Sequence, residues 1–117
     1  MKTILIVEDT ELNIDLLTQL LEDDYALLVA KDGAQGVALA LEHNPDLILM
    51  DISLPIMDGY EATRKIRETL KSTPIIGLSA HAMQSDRDKA LEAGCNDYMT
   101  KPFDEDLLLK KLKGFLG

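Results

Sequence analysis

Leu47-Ile48-Leu49-Met50-Asp51-Ile52-Ser53-Leu54-Pro55-Ile56-Met57-Asp58-Gly59 decides how the chain is read. Four apolar residues run into a carboxylate, and a turn bearing Pro and Gly follows. A short apolar run of this kind is the pattern of a strand buried on both faces, as in a parallel sheet. The pattern recurs. Ile4-Leu5-Ile6-Val7 leads into Glu8-Asp9, and Tyr98-Met99 leads into Thr100-Lys101-Pro102-Phe103. In an open α/β sheet, groups at the carboxyl ends of parallel strands gather in one crevice, the usual ligand site. Three carboxylates and a lysine converging there point to a divalent cation and a phosphoryl group.

Outward from these segments, strand-like and helix-like patterns alternate. Strands are expected at about 3–8, 26–30, 46–51, 74–79 and 97–100. The first helix runs from about Glu11 to Glu22, with Ile14, Leu17 and Leu21 on one face. The second carries Ala34, Val37, Ala38 and Leu41, the third Ala62, Ile66 and Leu70, and the fifth Leu108, Leu112 and Phe115. The fourth, about 85–93, is the least apolar and ends at Gly94, a plausible C′ glycine. Asp32-x-x-Gln35, Asp58-x-x-Glu61 and Ser85-x-x-Asp88 resemble capping boxes. The last helix opens on Asp104-Glu105-Asp106 and closes on Lys110, Lys111 and Lys113, complementing its dipole, as His43 does at the end of the second. Five βα units give a doubly wound, flavodoxin-like parallel sheet. The strand order 2-1-3-4-5 is taken from known folds of that kind.

Composition narrows the function. The 117 residues fit a single domain over 1–117, and at 46% hydrophobic they bury a real core. A net charge of −9 argues against sequence-independent binding to nucleic acid or anionic membrane, which needs basic clusters. Cys95 is the only cysteine, so no intrachain disulfide forms. No signal peptide and no apolar stretch near about 18 residues is evident, so a soluble cytoplasmic protein is expected. Met1 favours a free-standing chain.

At the expected crevice, Glu8 and Asp9 follow strand 1 and Asp51 ends strand 3, its neighbour across the switch point. Like charges about 4 Å apart at an effective dielectric near 20 repel by about 4 kcal/mol. A hard cation offsets that, and magnesium takes one or two carboxylates while keeping water or phosphate in its other positions. Taken singly, Glu8 or Asp9 is equally well a helix-start acid in solvent. Lys101 can pair with Asp51 or with an added phosphoryl oxygen, although a lone lysine before proline is ordinarily an exposed loop residue. Lys101-Pro102 also admits a cis peptide. Ser79, at the end of strand 4 and followed by Ala80, can hydrogen-bond a phosphoryl oxygen, or it is a turn serine.

Taken together, Glu8-Asp9, Asp51 with Leu54-Pro55-Ile56-Met57-Asp58-Gly59, Ser79-Ala80, Tyr98 and Lys101-Pro102-Phe103 resemble a receiver domain of a two-component response regulator. The resemblance covers essentially the whole chain. It is strongest to stand-alone receivers and to those of hybrid histidine kinases. It implies that Asp51 takes a phosphoryl group from a phosphohistidine, and that Asp9, Asp51 and the Ser53 backbone carbonyl bind magnesium directly. Glu8 holds the metal through water, and manganese can substitute. Lys101 contacts the phosphoryl oxygens, Ser79 moves toward them and Tyr98 turns inward behind it. The alternative for Tyr98 is a half-buried aromatic with its hydroxyl in solvent.

Ser79 stands where family members often carry Thr, and the hydroxyl is kept. Ser53 and His81, two residues beyond Asp51 and Ser79, occupy positions that tune attack of water on the acyl phosphate. Neither is of the Asn or Glu type of fast members, so a long-lived phosphoryl state is expected. His81 is otherwise a loop histidine in solvent. The implied partners are a sensor histidine kinase or a histidine phosphotransfer protein, and a downstream protein docking on helix 4, strand 5 and helix 5. The unphosphorylated protein is expected to be a monomer. The reading is of a signalling phosphoacceptor rather than an enzyme. Against it stand three others: a receiver-like module that is never phosphorylated, an aspartate-nucleophile phosphatase and a flavodoxin-like cofactor binder. The phosphatase would place its nucleophile after the first strand, with a second Asp two residues on. The cofactor binder would need a glycine- and hydroxyl-rich loop where Glu8-Asp9-Thr10-Glu11 stands.

Overall fold

A computed structural model gives the fold and describes residues 1–80 and 84–117. Five strands alternate with five helices: β1 (Thr3–Val7), α1 (Glu11–Leu21), β2 (Ala26–Ala30), α2 (Gly33–His43), β3 (Leu47–Asp51), α3 (Gly59–Arg67), β4 (Ile75–Ser79), α4 (Gln84–Ala93), β5 (Asp97–Thr100) and α5 (Glu105–Leu116). All neighbours pair in parallel, in the expected order β2-β1-β3-β4-β5.

Strand side chains alternate between two cores, which is why the strands read as unbroken apolar runs. Leu5, Val7, Ile48 and Met50 face one core with Ala40 of α2, Ala62 and Ile66 of α3 and Ala90 of α4. Ile4, Ile6, Leu47 and Leu49 face the other, with Leu17 and Leu21 of α1 and Leu108, Leu112 and Leu116 of α5. The expected inward face of α1 is the observed one.

Other helices differ from the periodicity reading. In α2 the buried positions are Gly33, Gly36 and Ala40, whereas Ala34, Ala38 and Leu41 are exposed and Val37 is partly buried. The helix lies so close to the sheet that glycines take its inward face. In α5 the third buried position is Leu116, and Phe115 is exposed, because the buried row follows i, i+4, i+8. Helix α3 stops at Arg67, before Leu70. Its end tightens through Glu68 N–H to Lys65 O and Thr69 N–H to Ile66 O, and the Arg67 Nη1 donates to Leu70 O at 2.9 Å. Helix α4 begins at Gln84, so Ser85 lies inside the first turn rather than at the cap; Gln84 Nε2 instead donates to Asp88 Oδ1 at 2.9 Å.

The other two capping expectations hold. Asp32 accepts from Gln35 N–H at 2.7 Å and Asp58 from Glu61 N–H at 2.9 Å. Asp104 caps α5 in the same way at 3.0 Å. Gly94 takes a positive φ of 120° after α4, as a C′ residue does. Only Ala90 and Ala93 of α4 are buried, so its buried anchor is two methyl groups. No described helix is long and apolar enough to cross a membrane.

Candidate functional site

The carboxyl ends of β1, β3, β4 and β5 form one wall of a cleft. The register places Val7 beside Met50, Asp51 beside Leu78, and Ser79 beside Thr100. Glu8 continues β1 by one residue, its N–H bonding Ala30 O at 2.9 Å, and Lys101 N–H bonds Ser79 O at 2.7 Å. Sheet pairing thus brings together residues from both ends of the chain.

Glu8, Asp9 and Asp51 each offer a carboxylate oxygen, and these oxygens lie within 4.8 Å of one another. Glu8 is fully buried and Asp51 is 3% exposed, whereas Asp9 opens to solvent. Lys101 closes the cluster. Its Nζ lies 2.9 and 3.1 Å from the two oxygens of Glu8 and 3.2 Å from Asp51 Oδ2. The Lys101–Pro102 peptide is cis. Asp51 Oδ1 accepts from Ser53 N–H at 3.0 Å, which orients the carboxylate and starts the β3–α3 loop in a turn.

Burial pushes the Glu8 carboxyl up to about 7; neighbouring Asp51 adds to the rise, and hydrogen bonds from Lys101 and Asn13 oppose it. For Lys101, burial pulls downward, but Glu8 and Asp51 outweigh it and leave the ammonium above its ordinary value. A buried carboxyl beside two more is a site with negative charge in excess of its one lysine. The donor set is all hard oxygen, which fits magnesium.

Of the remaining expected residues, Ser79 is 1% exposed at the end of β4 and faces the same cleft end of the sheet. Ser53 is exposed on the loop after Asp51. Tyr98 is 7% exposed, buried rather than half-buried, and packs with the core of α2, α3 and α4. His81 lies outside the described residues.

Asn13 is a site residue that the sequence reading assigns no role. Its Nδ2 donates to Glu8 Oε1 at 2.5 Å from the first turns of α1. The available signal was an amide beside Ile14 on the inward side of an otherwise amphipathic helix.

Comparison with known proteins agrees with this geometry. The family model described as the response regulator receiver domain matches residues 4–113. The polar-differentiation response regulator DivK of Brucella ovis is 39% identical over 119 residues, spanning 99% of this chain and 97% of its own. The receiver domain of the sensor histidine kinase PA1611 from Pseudomonas aeruginosa, solved with a magnesium ion coordinated in its active-site cleft, is 41% identical. It superposes with a TM-score of 0.91, covering 97% of this chain and 96% of that one. The chemotaxis protein CheY4 of Vibrio cholerae superposes with a TM-score of 0.93 at 28% identity, covering 99% of both chains.

Proposed function

The chain belongs to the response regulator receiver domain family, and on that premise we propose that Asp51 is its phosphoacceptor, with Asp9, Asp51 and the Ser53 carbonyl as direct magnesium ligands, Glu8 as a ligand through water and Lys101 as the phosphoryl contact. A receiver is a signalling phosphoacceptor, not a true enzyme, and its partner is a histidine kinase. The observation that carries the assignment is the convergence of Glu8, Asp9 and Asp51 within 4.8 Å of one another, closed by Lys101.

A carboxylate oxygen of Asp51 attacks the phosphorus of a phosphohistidine, the P–N bond breaks, and the imidazole leaves as its nitrogen regains a proton. The transfer asks the protein mainly for alignment and for neutralisation of charge. Ser53 N–H holds Oδ1 of Asp51, which fixes the direction of the attacking carboxylate. Lys101, now shared between Glu8 and Asp51, is placed to follow the charge onto the phosphoryl oxygens. Asp9, Asp51 and the Ser53 carbonyl would hold the cation directly, with Glu8 holding it through water. Bound magnesium supplies charge neutralisation for the phosphoryl group, and manganese is expected to substitute.

Ser79 and Tyr98 are the proposed switch pair, carrying the new charge at Asp51 outward toward α4 and β5. The proposed downstream face comprises α4, β5 and α5. It includes a groove of about 370 Å³ that Arg87, Tyr98, Leu107 and Lys111 help to line. The small apolar anchor of α4 supports its role as the movable part. Ser53 and His81 are the proposed tuners of a long-lived acyl phosphate; a half-life of seconds at neutral pH with magnesium would refute that.

The test is intact mass after incubation with magnesium and acetyl phosphate. One phosphoryl group is expected on the wild type and none on Asp51→Asn. An adduct on both would move the acceptor elsewhere. Turnover of a generic phosphomonoester would favour the phosphatase reading instead.

A further inference from the structure

Helix α2 contributes no carboxylate to the cleft, yet its first turn touches the loop that leaves Asp51. A Cβ built on Gly33 would stand 2.0 Å from the carbonyl oxygen of Met57 and 2.8 Å from its carbon. The obstacle is backbone, which cannot swing aside as a side chain does. Gly33 lies in a helix and needs no unusual φ, so position 33 requires space rather than conformational freedom. We propose that Gly33 is a positioning residue for the phosphoacceptor and metal site: its bare Cα lets α2 seat directly on the Met57 carbonyl, and that contact sets where the β3–α3 loop holds Ser53 and Asp51.

Neither side of the contact can yield freely. At one end of the loop, Ile52 N–H bonds Leu78 O at 2.9 Å. At the other, Gly59 N–H bonds Ile52 O at 2.9 Å, and a Cβ on Gly59 would fall 2.2 Å from Asp51 O. Between them, Met57 N–H closes a three-residue turn onto Pro55 O at 2.7 Å. Helix α2 is fixed as well. Asp32 caps it, Lys31 N–H donates to Gln35 Oε1 at 2.8 Å, and a Cβ on Gly36 would stand 2.9 Å from Val7 Cγ1. A wedge at position 33 therefore presses on the stretch from Ser53 to Met57 between those two anchors, which carries the Ser53 N–H bond to Asp51 and the Ser53 carbonyl.

This inference rests on the magnesium site proposed above, and its test separates the two. Magnesium affinity is measured by calorimetry, and the Ser53 amide is followed by NMR, for wild type, Gly33→Ala, Gly114→Ala and Leu112→Ala. Gly33→Ala is expected to weaken magnesium binding about tenfold, the scale of lost support behind a metal ligand, and to shift the Ser53 amide. Gly114 has nothing within 4 Å of its Cβ position, and Leu112 is buried on the opposite side of the sheet. Both controls are expected to keep wild-type affinity, although Leu112→Ala loses stability. Should Gly33→Ala not fold, Asp32→Ala carries the test by loosening the first turn of α2; it is expected to weaken magnesium several-fold. Wild-type affinity and an unmoved Ser53 amide in Gly33→Ala, or wild-type affinity in Asp32→Ala, would overturn the proposal. A wild type that binds no magnesium would overturn the site assignment itself.

Discussion

Lys101 holds both oxygens of Glu8, a residue 93 positions earlier in the chain, at 2.9 and 3.1 Å. The ammonium is 18% exposed and the carboxylate is fully enclosed, so this is an ion pair largely removed from water. Removing one partner of such a pair leaves an uncompensated buried charge.

Lys101→Met is therefore expected to destabilise the metal-free protein by about 2–4 kcal/mol at pH 8, read from urea unfolding. The loss should be clearly smaller at pH 5.5, because Glu8 can then take a proton instead of standing as an unpaired anion. Equal losses at both values would mean that Glu8 is not the group left exposed to the change. The raised value of Lys101 keeps its own contribution intact until pH passes above the ordinary lysine range.

Glu8 also sets a pH dependence for the wild type. Its folded value, about 7, stands above its ordinary 4.5. The folded state thus binds the proton more tightly than the unfolded chain does. The favourable contribution is full below about pH 4.5 and is lost as pH rises through about 7. In EDTA, stability is expected to fall more steeply over this window in the wild type than in Glu8→Gln. Magnesium at a hundredfold excess over its dissociation constant should restore about 2.7 kcal/mol. Parallel curves for the two proteins would refute the assignment to Glu8.

Ile56 sits at φ 68° and is 84% exposed, at the centre of the turn closed by Met57 N–H on Pro55 O. A β-branched residue is strained at that positive φ, whereas Asn is among the residues that tolerate a positive φ best. Ile56→Asn removes little buried surface. It is expected to stabilise by about 1 kcal/mol, raising Tm by about 3–6 °C. A lowered Tm would show that the turn does not carry that strain.

The inward row of α5 gives a further test. Leu112 is fully buried and Phe115 is 38% exposed. Leu112→Ala is expected to cost about 2–5 kcal/mol, and Phe115→Ala at least about 1 kcal/mol less. The reverse order in urea unfolding would return Phe115 to the core.

The elements and their order were legible because buried parallel strands need unbroken apolar runs, and Leu47-Ile48-Leu49-Met50 and Ile4-Leu5-Ile6-Val7 are fully enclosed. The acidic set was legible for a related reason: it follows those runs directly, and parallel strands leave their carboxyl ends on one side. What failed was the choice of helix face wherever contact depends on closeness rather than hydrophobicity. Ala34, Ala38 and Leu41 make a better apolar stripe than Gly33 and Gly36, yet the glycines face inward because Met57 and Val7 leave no room for a side chain.

By itself, then, the sequence determined the βα alternation and which acids and lysine end up at the strand tips, since both follow from local pattern and the pleat of a parallel sheet. Tertiary structure alone decided that Lys101 grips Glu8 as well as Asp51, that Asn13 reaches Glu8, and that α2 bears on the loop behind Asp51. Each of these depends on distances between segments far apart in the chain, which packing sets and no local periodicity encodes.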